Sequence, residues 1–246
     1  MSQHGKNYRE ARGQIDREQL YSPVEAIRML KSFPAAKFDE SVEVHLNLGL
    51  NVRHAEQQLR GTLMLPHGTG RESKVAVFAE GDKAREAQEA GADVVGTADL
   101  AKQIEEGFDD FDVAIATPDQ MSVVGKLGRI LGPRGKMPNP KTGTVTMDVG
   151  RAVREAKAGK LEYRTDRGAN VHVTIGKKSF DEKQLAENYA TLLDEIMRAK
   201  PAAAKGRYIR SVTLTSTMGP GVRVDPSRTR GIVEELEERE PEAVSA

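Results

Sequence analysis

At 246 residues, with 38% hydrophobic and 30% charged side chains, the chain has the length of one large domain or two ordinary ones. It contains no cysteine, which excludes disulfides, thiolate metal sites and a cysteine nucleophile; it has no tryptophan and only 4% aromatic residues, which argues against an extended base-stacking platform. The net charge of zero is a cancellation: 9 basic and 8 acidic residues lie in 1–67, 13 and 15 in 68–159, 14 and 8 in 160–230, and 1 and 6 in 231–246.

The N-terminal stretch MSQHGKNYREARGQ is polar, so no signal peptide is expected. No window approaches about 18 consecutive apolar residues, so no membrane partner is expected either. Ser22-Pro23 reads as a helix cap with proline at the first helical position, followed by Val24, Ile27, Met29, Leu30 and Phe33 as an apolar stripe that Pro34 closes. Residues 41–48 then alternate strictly: Val42, Val44, Leu46 and Leu48 on one side, Ser41, Glu43, His45 and Asn47 on the other. That pattern predicts a half-exposed antiparallel strand. Residues 61–65 give a second strand, ended by Pro66.

The style changes near residue 70. Strands at 74–79, 94–96 and 113–116 alternate with helices at 81–90, 99–106 and 148–158, which predicts a parallel α/β unit. After Gly159 the half-polar strands return at 161–165, 170–176 and 207–215, with a long helix over 181–200. The resulting expectation is a mixed α/β protein of two domains. Residues 1–67 and 160–230 form a discontinuous outer domain with a half-exposed antiparallel sheet, and 68–159 form an inserted α/β domain. The two chain crossings are expected to act as a hinge. The acidic tail 231–246 is expected to be disordered.

Three groups of residues carry candidate chemistry. If the half-polar strands share one sheet, its outer face presents Ser41, Glu43, His45, His172, Thr174, Ser211, Thr213 and Thr215. Hydroxyls and imidazoles suit ribose and phosphate oxygens, although threonine is also simply favoured on exposed strands. Lys37 and Phe38 precede the first strand, where Phe38 either stacks on RNA or closes the core edge. Thr217, Met218 and Gly219 follow the last strand, where glycine allows a close backbone approach. The third group lies in residues 125–145, GKLGRILGPRGKMPNPKTGTV, with five glycines, three prolines, five Lys/Arg and no acid. It is expected to be a basic, semi-rigid loop entered from a short helical segment. Its cations Arg129, Arg134, Lys136 and Lys141 either meet a phosphate-rich partner or fold back on the acidic residues 68–119 of their own domain.

An enzyme is not expected. Gly132-Pro133-Arg134-Gly135-Lys136 fails the phosphate-loop pattern, with Ile130 where glycine is needed and Met137 where Ser/Thr is needed. The five histidines (His4, His45, His54, His67, His172) have no metal-like spacing, and no cofactor is expected.

GKLGRILGPRGKMPNPKTGTV, KFDESVEVHLNLG, VRHAEQQLRGTLMLPHG and RSVTLTSTMGPGVRV together resemble the bacterial ribosomal protein L-one family, in order across residues 5–227. The resemblance implies a protein of the large subunit's mobile side stalk, its outer domain built from both chain ends and its inner domain inserted. Implied rRNA contacts are Lys37, Phe38, Glu40, Ser41, Glu43, His172, Thr174, Lys177, Ser211, Thr215, Thr217, Met218 and Gly219. It further implies help in releasing deacylated tRNA from the exit site, a possible tRNA edge at Arg129, Arg134, Lys136 and Lys141, and repression of its own operon's mRNA. Other ribosomal components are implied as partners, and the cytoplasm as location. The alternative is a non-ribosomal RNA-binding module or RNA chaperone, which binds many RNAs alike.

Overall fold

A computed structural model of the chain describes residues 4–228, 231, 232 and 235. The elements run α1 (Lys6–Gly13), α2 (Pro23–Ser32), β1 (Ser41–Leu48), β2 (Arg60–Met64), β3 (Val75–Phe78), α3 (Asp82–Glu89), β4 (Val94–Gly96), α4 (Ala98–Glu105) and β5 (Val113–Ala116). They continue with α5 (Met121–Val124), α6 (Gly128–Leu131), α7 (Val149–Lys157), β6 (Lys160–Arg164), β7 (Asn170–Lys177), α8 (Glu182–Arg198), β8 (Ile209–Ser216) and β9 (Val222–Val224). This is a mixed α/β architecture. Contacts divide the chain into two compact units, one from residues up to 70 with those from 163 on, the other Arg71–Glu162.

The first unit is built on an antiparallel sheet in the order β7-β1-β8-β9. Along β1, Val42, Val44, Leu46 and Leu48 are buried while the residues between them are half-exposed. The buried face is covered by α2 and α8, whose own buried residues include Ile27, Leu30, Leu192 and Ile196. α2 starts where the sequence predicts, with a reciprocal cap. The Glu25 amide donates to the Ser22 hydroxyl at 3.2 Å and the Ser22 amide to the Glu25 carboxylate at 3.1 Å. The fully buried Asn188 of α8 is satisfied by three bonds. Its side-chain amide donates to the carbonyls of Ile175 and Gly68, and its oxygen accepts from the His67 amide.

The second unit holds the parallel sheet β4-β3-β5 between two helical layers. Alternation along β3 feeds both sides: Ala76 and Phe78 pack with Leu100, Ile104, Leu127 and Leu131, and Val75 and Val77 with Ala87, Val149 and Val153.

Three differences from the expectation have physical causes. α1 and β9 were not legible, the first because Ala11 is its only buried residue, the second because three residues carry no period. The basic segment is more than a loop: Gly125–Leu127 is a turn of 3-10 helix, Gly128–Leu131 is α6, and Val124, Leu127 and Leu131 are buried in the core. Of the tail 231–246 only Gly231, Ile232 and Glu235 are described, with Ile232 buried; the expected disorder falls on residues outside that set.

Candidate nucleic-acid interface

The polar side of the four-stranded sheet lies opposite the face that α2 and α8 cover, and its side chains are half-exposed or exposed. Its residues stand in rows set by strand register. Thr174, Glu43 and Thr215 form one row, His172, His45 and Thr213 the next, and Asn170, Asn47 and Ser211 a third. Arg223 of β9 lies beside Thr213. The sequence-predicted face is therefore one continuous surface, with Asn170 and Arg223 added to it.

Lys177 reaches this face through an irregularity. Val42 pairs with Gly176 but Glu43 with Thr174, so Ile175 is an extra residue on β7 and points into the core. Gly176 has φ 154°, and a Cβ there would lie 2.8 Å from the Phe180 ring. The bulge returns Lys177 to the polar side, where its ammonium donates to the Ser41 hydroxyl at 2.9 Å.

At the centre, His45 Nδ1 and His172 Nδ1 are 2.8 Å apart, so one ring carries the proton and the other accepts it. Burial and the neighbouring His172 push the His45 imidazole below the usual histidine range, against the opposing pull of Glu43. The His45 ring is therefore expected to meet RNA as a neutral partner near pH 7.

The start of β1 is bracketed by two exposed apolar side chains, Phe38 at 54% and Met218 at 62% exposure. Phe38 does not close the core edge. Glu40, implied above as an RNA contact, is only 1% exposed and faces inward. Its carboxylate accepts from the Ala36 amide at 3.0 Å and the Met218 amide at 3.1 Å. Burial opposes its charge, yet these amides and nearby Lys178 outweigh that and hold the carboxyl below the ordinary glutamate range. Glu40 thus positions both loops rather than touching a ligand.

Thr217 closes the same end: its amide donates to the Ser41 carbonyl and its hydroxyl accepts from the Ser41 amide, at 3.1 and 3.0 Å. Gly219 packs closely in its own turn, where a Cβ would fall 2.4 Å from the Ser216 hydroxyl and displace it. Lys37 is exposed beside Phe38.

The basic segment of the second unit is divided. Arg134 and Lys136 both pair with Asp109, at 3.0 and 2.7 Å, and Lys136 also sits 4.9 Å from the centre of the Phe111 ring. The Lys136 hydrogen bond holds the Asp109 carboxyl below its ordinary value. Arg129 and Lys141 are exposed. Folding back on the domain's own acidic residues accounts for two of the four cations, and outward display for the other two. Among the described residues no group of three or more His, Asp or Glu is placed to hold a metal ion. Nor, among them, is any helix long and apolar enough to cross a membrane.

A family model described as the ribosomal protein L1p/L10e family matches residues 30–220. The chain belongs to the ribosomal protein L1p/L10e family. It is similar to the large ribosomal subunit protein uL1 of Rubrobacter xylanophilus, 63% identical over 227 residues that cover 92% of this chain and 99% of that one. The protein of the same description from Thermobifida fusca is 58% identical over 225 residues, covering 92% and 96% respectively. That from Mycobacterium sp. strain KMS is 57% identical over 234 residues, covering 95% and 100%. The L1p/L10e match spans β1, the basic segment and β8 up to Pro220, so it includes both loops that flank the polar face. All three relatives carry the description of a protein of the large ribosomal subunit.

Proposed function

We propose that the protein is a structural component of the large ribosomal subunit, bound to large-subunit rRNA at the mobile side stalk. The split first unit is the rRNA-binding domain and the inserted unit a second, separate one. The observation that carries this reading is the half-exposed polar sheet face ending in two exposed apolar side chains, Phe38 and Met218. Hydroxyls and imidazoles bond ribose and base edges, and the apolar tips pack on unstacked bases of an irregular RNA fold. In this reading Ser41, Glu43, His172, Thr174, Lys177, Ser211 and Thr215 line the contact, while Glu40, Thr217 and Gly219 shape its end.

Two further roles belong to the same proposal. The exposed Arg129 and Lys141 meet deacylated tRNA as it leaves the exit site, with Arg134 and Lys136 stiffening the segment through Asp109. A stalk-like fold in the message of its own operon occupies the same sheet face and represses translation. The first role places the protein on the ribosome beside other ribosomal components, the second has it bound to the message instead, and both lie in the cytoplasm.

The test is binding of the full chain to a large-subunit rRNA stalk fragment and to an unrelated hairpin of equal length, at about 0.15 M and about 0.5 M salt. A strong preference for the stalk fragment, kept at the higher salt, is the expected result. Equal binding to both RNAs that vanishes with salt would replace the ribosomal reading with that of a general RNA-binding module.

A further inference from the structure

We propose that a second subsite, at the end of the sheet away from Phe38 and Met218, holds phosphates of the RNA backbone between Arg164 and Arg167. The inference rests on the sheet face being an RNA surface and extends that surface along its length. A cleft of about 440 Å³ lies there, lined by Val52, Gln58, Arg164, Thr165, Asp166 and Arg167.

The cleft is built, not frayed. Its walls are tied together by the Thr165 amide donating to the Leu59 carbonyl at 2.9 Å and the Leu59 amide donating to the Thr165 hydroxyl at 3.1 Å. Gln58 is held by its side-chain bond to the Val52 carbonyl at 3.0 Å. The floor is the turn that starts β7, where one Asp166 oxygen accepts from the Gly168 and Asn170 amides at 2.8 and 2.7 Å. The other oxygen accepts from the Asn170 side chain at 3.0 Å and lies 3.6 Å from His172 Nε2.

Those bonds matter for charge. Asp166 spends its oxygens on its own turn and on His172, so it does not pair with the guanidinium groups beside it. Among the described residues neither the Arg164 nor the Arg167 side chain has an ion pair or hydrogen-bond partner, and both residues are exposed. Two uncompensated arginines lining one cleft suit a phosphodiester, whose oxygens the planar guanidinium meets with paired donors.

Continuity supplies the occupant. Asn170, the last residue of the Asp166 turn, pairs across to Asn47, which pairs to Ser211 on the polar face. From Ser41 to Leu48 the strand runs about 23 Å at the usual rise per residue. An RNA seated on the apolar tips at one end therefore reaches the arginine cleft at the other. The face is polarised: bases are gripped at the Phe38 end and backbone at the Arg164 end.

The experiment measures stalk-fragment affinity across a salt series for wild type, for R164Q/R167Q, and for R198Q, which removes a charge from α8 on the opposite side of the sheet. Two lost phosphate contacts flatten the slope of log affinity against log salt by about 1.5. The expected result is that flattening in R164Q/R167Q, none in R198Q, and an unchanged thermal midpoint for all three. An unchanged slope in R164Q/R167Q, or an equal change in R198Q, overturns the subsite. Failure of the ribosomal reading looks different: wild type then binds the stalk fragment and an unrelated hairpin alike, whatever the slopes do.

Discussion

Replacing Glu40 by alanine is expected to cost about 3 kcal/mol of folding stability and to weaken RNA binding about tenfold. The stability figure follows from hydrogen bonds to a charged acceptor, worth about 1.5–3 kcal/mol each when the partner is left unsatisfied. Two backbone donors, Ala36 and Met218, lose their acceptor together, and Lys178 loses its counter-charge. The binding loss follows because those amides lie in the loops that carry Phe38 and Met218, so one base contact of roughly 1–3 kcal/mol is misplaced. The pH dependence has a definite sign. Glu40 titrates below its ordinary value in the folded protein, so its contribution is present above the unfolded pKa, about 4.3, and is lost as pH falls through the folded one. Urea unfolding of wild type and Glu40→Ala is expected to differ at pH 7 and to converge as pH falls through the lowered folded-state pKa of Glu40. A gap that persists undiminished in acid would mean that packing, not the carboxylate, accounts for the loss.

The second large effect is on affinity with stability spared. The double variant Phe38→Ala, Met218→Ala removes two side chains that are more than half exposed, so unfolding should shift by no more than about 0.5 kcal/mol. Stalk-fragment affinity is expected to fall about 100-fold, from one stacking contact of roughly 1–3 kcal/mol and a further apolar one. The salt slope should stay as it is, because neither residue is charged. This is the reverse of the arginine variant, which changes the slope. Isothermal titration of the RNA at several salt concentrations separates the two. Wild-type affinity in the double variant would remove the apolar tips from the interface.

Much of the frame was legible because one side of each element is buried. The strict alternation of β1 follows from Val42, Val44, Leu46 and Leu48 packing under α2 and α8, and a period of two survives in sequence whatever the partner strand. α2 announces itself through Ser22-Pro23, since orphan amides at a helix start need an acceptor from the local sequence, and α8 through the spacing of its buried apolar residues. What was not legible depends on distant partners. Nothing near Glu40 in sequence shows that its second oxygen meets the amide of Met218, 178 positions away. The bulge at Ile175 depends on pairing with Val42, so the side taken by Lys177 came from resemblance and not from periodicity. In the basic segment glycine and proline obscured the spacing of Val124, Leu127 and Leu131, whose burial makes its first half part of the core. The Arg164–Arg167 cleft is not legible in the sequence because two of its other lining residues, Val52 and Gln58, lie far away along the chain.

The central claim is that rRNA lies on the polar face of the four-stranded sheet. Ultraviolet cross-linking of the full chain to the stalk fragment, with the linked peptides mapped by mass spectrometry, tests it most directly. The account predicts links at Phe38, Met218 and the His45–His172 pair, with links near Arg164 and Arg167 from the same RNA. Links confined to residues 125–145, or to the exposed side of α8, would contradict it.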